Sequence, residues 1–134
     1  MRIVETALYG TLAGDAQLST AASGGVWRNV APVGTRGVWV IYSWASETDA
    51  YTFAERAYAD FTYQVKAIAP GGSAGPAWAA AERIEELLTD QPIDVPDGHL
   101  MVLRREQVVS YTDTDGGELY QHCGGFYRVT VQEA

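Results

Sequence analysis

The chain has 134 residues, enough for one domain with a core of its own, and residues 1–134 read as a single unit. Seventeen acids against nine bases give a net charge of −8 and a pI near 4.5. The bases, among them Arg28, Arg36, Arg56, Lys66, Arg83, Arg104, Arg105 and Arg128, are scattered, which argues against nucleic-acid binding by phosphate neutralisation.

The lone cysteine, Cys123, rules out an internal disulfide framework. No apolar run approaches the roughly 20 residues of a bilayer span. The opening "MRIVETALYGTLAGD" carries Glu5 where a leader would be apolar, so a soluble chain, intracellular when made and without membrane contact, is expected.

In chain order, Ile3, Ala7, Leu8 and Leu12 recur at helical spacing, and the spacing predicts a helix over 2–13 stopped by Gly14. "DAQLSTAASGG" reads as a small polar loop, and Val26 to Pro32 as a short strand ending at proline. Gly37 to Ala45, "GVWVIYSWA", holds β-branched and aromatic residues and no charge. Such a strand suits cover on both faces or a subunit contact. "SETDAYT", 46–52, reads as a polar connection. From Arg56, Ala57, Ala59, Phe61, Tyr63, Val65 and Ala67 alternate with Tyr58, Asp60, Thr62, Gln64 and Lys66. This predicts a long strand with one buried face, paired with 37–45 as an antiparallel hairpin.

"APGGSAGP" at 69–76 precedes a helix predicted over 76–89, capped by Ser73 or the glycine after it, with Trp78, Ala81, Ile84 and Leu88 as the packing stripe. Strands follow over 99–111 and 125–132, joined by the turn "TDTDGGE". The expected fold is α+β: a mainly antiparallel sheet of four to five strands with two helices on one face.

No motif amounts to a catalytic constellation. The glycine loop lacks the lysine of a phosphate cradle, and its glycines do not fit a dinucleotide fingerprint, so it reads as a strand-to-helix joint. "DTDGGE" begins like a calcium loop, but the twelfth position from Asp113 is Gly124 rather than glutamate. His122 and Cys123 are neighbours, and neighbours on a strand point to opposite faces. Two histidines and one cysteine fall short of a zinc set. No cofactor and no metal are expected. The four Trp and eight Tyr suit either a core or a protein interface.

With its elements in this order the chain resembles the tail terminator (tail completion) family of long-tailed bacteriophages. The matching stretches are "ALYGTLAGDAQL", "GVWRNVAP", "RGVWVIYSW", "ERAYADFTYQVKAIA", "AWAAAERIEELL" and the hairpin "VVSYTDTDGGELY…GFYRVTV". "YQHCGG" departs from the uninterrupted strand expected there. The resemblance implies a non-enzymatic virion subunit forming a ring, typically of six copies, at the head-proximal end of the tail. Its partners would be itself, the tail tube protein and a head–tail connector protein. Loops on a rigid sheet are natural contacts, which makes Glu47, Asp49, Tyr51, Asp113 and Asp115 candidates for the tube or head contact. Trp39, Ile41 and Tyr58 are candidates for the subunit contact. Two alternatives stand beside this: another connector component such as the head-side stopper, and a small α+β ligand-binding or hydrolytic domain using His99, His122 and a carboxylate.

Overall fold

The computed structural model describes residues 2–51, 56–93, 95 and 98–133. Its elements are α1 (Arg2–Ala13), α2 (Ala16–Ala21), β1 (Val26–Arg28), β2 (Trp39–Tyr51), β3 (Arg56–Pro70), α3 (Gly75–Leu88), β4 (Gly98–Asp115) and β5 (Glu118–Glu133). The strands form one sheet in the order β1-β2-β3-β5-β4. Every pairing is antiparallel except β1 with β2. The α+β class holds, with three helices among the described residues where two are expected.

The additional helix is α2, in the stretch read as a polar loop. Six residues are too few for a hydrophobic period to show, and Leu18 is its one buried residue. Tertiary partners fix it instead. Asp15 is its N-cap and accepts a hydrogen bond from the Leu18 amide at 2.8 Å. The same carboxylate receives the Arg83 guanidinium of α3 as a fork, at 2.9 and 2.8 Å. The Arg83 hydrogen bonds, then the Leu18 amide, hold the Asp15 carboxyl below the usual range despite its partial burial. Asp15→Ala is expected to cost about 1–2 kcal/mol, read as a lower denaturant midpoint at unchanged slope.

The core lies between the helices and one face of the sheet. The β3 alternation predicted from sequence sets that face: Ala59, Phe61, Tyr63, Val65, Ala67 and Ala69 are buried. They meet Val40 and Tyr42 of β2 and Tyr127, Val129 and Val131 of β5, while Val4, Leu8, Leu12, Leu18, Ile84 and Leu88 close over them. The α3 stripe is Ala77, Ala80, Ala81, Ile84 and Leu88. Trp78, expected in that stripe, is half-buried against a small cluster of Ala69, Ala77, Ala81 and Cys123. Small alanines on the buried line let α3 sit close to the sheet, and the large indole lies beside the contact.

Three boundaries differ from the sequence reading. The connection expected at 46–52 is strand as far as Tyr51, since β2 continues pairing with β3 through Ala50 opposite Tyr58; residue 52 lies outside the described residues. Glu47 and Asp49 are therefore strand residues. Likewise β4 runs to Asp115, and the turn narrows to Gly116 and Gly117, at φ 60° and 83°. Two positive φ values suit a tight hairpin turn whose twist matches its strands, so Asp113 and Asp115 also stand on a strand. The cross-strand partners supplied by the fold outweigh the polar composition of both stretches.

The third correction concerns "YQHCGG", which lies inside an unbroken β5. A Cβ on Gly124 would stand 2.2 Å from the Val65 carbonyl oxygen, and one on Gly125 would stand 2.4 Å from the Gln107 oxygen. Gly124 faces Lys66 of β3, and Gly125 faces Val108 of β4 across the other ladder. The two glycines let both neighbouring strands close on β5; they do not interrupt it.

The glycine loop after β3 is pinned to this hairpin. The Gly71 amide donates to the Leu119 carbonyl at 2.8 Å, and the Gln121 side-chain amide donates to the Gly71 carbonyl at 3.1 Å. Gly71 holds φ 107°, a conformation that favours glycine. Ser73 Oγ accepts from the Gly75 amide at 3.3 Å as α3 begins. The stretch serves as the joint read from sequence, fixed at both ends.

Candidate functional site

Among the described residues no helix covers the other face of the sheet, and a basin on that face is built by topology. Parallel neighbours cannot be joined by a tight turn, so the chain between β1 and β2 makes an irregular crossing over residues 29–38. Asn29 opens it at φ 65°, and Gly34 and Gly37 also hold positive φ. With the outward side of β2, β3 and the β4–β5 hairpin, this crossing encloses a basin of about 370 Å³. Trp39, Ile41, Ile68, Asp113, Asp115, Tyr120 and His122 line it alongside Asn29, Val30 and Thr35.

Ile41 and Ile68 are buried. The rings of Trp39 and Tyr120 meet edge-on, with centroids 6.0 Å apart. His122 is 7% exposed and stacks on Tyr111 at 4.3 Å. Its Nε2 lies 3.6 Å from Asp113 Oδ2, longer than a hydrogen bond. Nδ1 is buried and has no hydrogen-bond partner. Beyond Tyr111, Lys66 Nζ donates to its hydroxyl at 2.7 Å and lies 5.1 Å from its ring centroid.

Burial, then the Lys66 charge, pushes the His122 pKa down, against the opposing pull of Asp113. A histidine depressed below its ordinary value of about 6.5 binds fewer protons folded than unfolded. Its contribution to stability is complete above that value and is lost as pH falls through it toward the folded pKa. The melting temperature is expected to fall between about pH 7.5 and pH 5.5, and to fall less in His122→Gln. Equal slopes in differential scanning fluorimetry would refute this.

The basin unites residues that the sequence assigns to two separate contacts: Trp39 and Ile41 from one, Asp113 and Asp115 from the other. Of the two settings that suit the uncharged strand β2, cover on both faces or a subunit contact, the first is met at Ile41. Ile41 is only 4% exposed, covered within the chain by the 29–35 crossing and the hairpin. Glu47, Asp49 and Tyr58 stand at the opposite end of the β2–β3 ladder. The Tyr51 side chain lies outside the described residues. The crossing itself was invisible in the sequence because strand pairing decides it; "NVAPVGTRG" shows a turn-rich segment but not what it crosses.

The residues of the hydrolytic alternative do not converge. His99 pairs with Gln132, and His122 pairs with Tyr111, on the order of 40 Å further along β4. Cys123 points to the helix side, where burial raises its thiol pKa, and Ser110 Oγ lies 3.9 Å away. A second cleft, of about 600 Å³, lies by the end of α3. Its Arg83 is tied to Asp15 and Glu86, and no histidine or cysteine lines it. Among the described residues no group of three His, Cys, Asp or Glu is arranged for a metal ion, and no helix is long and apolar enough to cross a membrane.

Comparison with solved structures places this fold beside a chain from the virion of a native gene transfer agent particle. That match has a TM-score of 0.77 at 21% identity and covers 96% of this chain and 94% of that one. A second solved chain matches with a TM-score of 0.60 at 14% identity, again over 96% and 94%. No curated protein matches the sequence. The tail completion protein gp17 family matches over residues 6–132, nearly the whole length. The chain belongs to this family of tail completion proteins, structural components of phage tails.

Proposed function

We propose that the protein forms a ring of six copies that caps the head-proximal end of the tail tube, stops tube growth and gives the head its docking face. The family match over residues 6–132 carries this reading. A ring needs two different surfaces on each subunit that fit each other head to tail, and the sheet offers two unlike edges. One is β4, eighteen residues long, with Met101 and Val108 about half exposed. The other is the three-residue β1. We assign the subunit contact to these edges and to the Tyr58 end of the sheet. Trp39 and Ile41 go with Asp113 and Asp115 to the axial face, toward tube or head, because the basin holds all four. Glu47 and Asp49 belong to a further axial contact at the far end of the ladder. A terminator must match the growing tube on one face and fail to reproduce it on the other.

Gold labelling of a tagged copy in intact particles tests the placement, and light scattering of protein released from tails tests the ring. The label is expected at the head–tail junction, and the released protein at six times the 14.5 kDa chain mass. Label spread along the tube, or at the distal tip, rejects the cap.

A further inference from the structure

We propose that neighbouring copies join edge to edge, residues 102–104 of β4 in one copy pairing antiparallel with residues 46–48 of β2 in the next. The inference rests on the ring proposed above and names the strands that close it.

Two edges of the sheet are open among the described residues. β1 covers β2 only over Val40, Ile41 and Tyr42, so from Ser43 onward β2 has a strand on one side alone. β4 ends the sheet over its whole length. Open edges recruit further strands. β2 and β5 run one way, β3 and β4 the other. A rotation about an axis along the strands preserves these directions, so β4 meets the next copy's β2 in antiparallel sense, the more stable ladder.

The rungs of the sheet show which heights the two edges share. Ser46 shares a rung with Thr62, Arg128 and Arg104, and Trp44 with Tyr63, Tyr127 and Arg105. A closed ring has no net rise, so equal heights are brought together. Register shifts interrupt β2 before Ser46 and β4 on both sides of 102–105. The regular stretches 46–50 and 102–105 thus lie side by side. Gln107 shares a rung with Ser43, where β1 has ended, and the irregularity just before Gln107 bends β4 past β1.

The chemistry at that height matches. Residues 43–49 hold Glu47 and Asp49 and no base. Across 98–107, β4 carries Arg104 and Arg105 against the single acid Glu106. Among the described residues the ion pairs of these arginines are loose, 3.9 Å to Asp90 and 3.8 Å to Glu85, longer than hydrogen bonds. Trp44 is 42% exposed, and its indole N–H donates to the Ser46 carbonyl at 3.0 Å, which holds the ring at the edge. The rung partners Tyr63 and Tyr127 are buried in the core on the helix side, so Trp44 and Arg105 face that side too, an indole beside a guanidinium. A second β4 at this height would set arginine against arginine. Glu47 and Asp49 gain a lateral partner besides the axial one proposed above.

The test uses whole particles whose tails carry cysteine variants, oxidised and run on non-reducing gels. Opposite Cα atoms in an antiparallel ladder lie about 4.5–5.5 Å apart, a span that a disulfide bridges. Ser46→Cys with Arg104→Cys in one chain is expected to give a ladder of linked chains, absent from either single variant. Ser46→Cys with Thr114→Cys, again at exposed positions, is the offset control and should stay unlinked. Hydrogen exchange on the unmodified protein, released ring against dissociated chain, should slow at 46–48 and at 102–104 together. No ladder from the 46–104 pair, an equal ladder from the 46–114 pair, dimers from Arg104→Cys alone, or unchanged exchange at either stretch overturns the proposal. A sixfold mass by light scattering without the 46–104 link would remove this pairing and leave the cap standing.

Discussion

Gly124→Ala is expected to destabilise the protein by about 3–5 kcal/mol, a drop of roughly 10–20 °C in melting temperature for a domain of this size. The added Cβ would lie 2.2 Å from a backbone oxygen of β3 and 2.5 Å from the Lys66 Cα. Neither atom is the end of a flexible side chain. Relief therefore requires the β3–β5 ladder to part in the middle of the sheet. Gly116→Ala makes the control. Unlike Gly124 it holds a positive φ, but nothing lies within 4 Å of its Cβ position, so only the backbone strain of about 1 kcal/mol applies. Thermal unfolding of both variants measures the difference. Similar losses at 116 and 124 would mean that β5 is not clamped at Gly124.

Loss of the gene is expected to have the largest functional effect. Phage lacking the protein should assemble tails of irregular, mostly excessive length that fail to join heads, and plating should fall by orders of magnitude. Electron microscopy of lysates supplies the length distribution. A wild-type copy in trans should restore uniform, head-joined tails. A copy carrying Asp113→Lys and Asp115→Lys should fold, because both positions are exposed, yet fail to restore joining if they meet tube or head, because reversed charges oppose the partner surface that the acids match. Reversal of Glu47 and Asp49 tests the other end of the sheet separately. Uniform tails in the deletion strain would remove the terminator reading. Full rescue by the Asp113 and Asp115 reversal would leave the cap intact and clear the basin of a part in it.

Much of the architecture follows from sequence alone, and for a definite reason. The period-two burial along residues 56–67 and the helical stripe ending in Ile84 and Leu88 are local statements about which side of an element is apolar. A single apolar core then forces those sides together. The family was legible in the same way, because its signature is the order and pattern of elements over nearly the whole chain. The tertiary structure decided what depends on a partner distant in sequence. α2 exists because Asp15 both caps it and holds Arg83 of another helix. The polar stretches 46–51 and 112–115 are strand because a long neighbour pairs with them. Gly124 and Gly125 read as a break until the strands pressing on them are known. The basin is the clearest case. It brings Trp39, Asp113 and His122 together across three strands under a crossing segment, and only the parallel pairing of β1 with β2 creates that crossing. No periodicity within any of those segments encodes it.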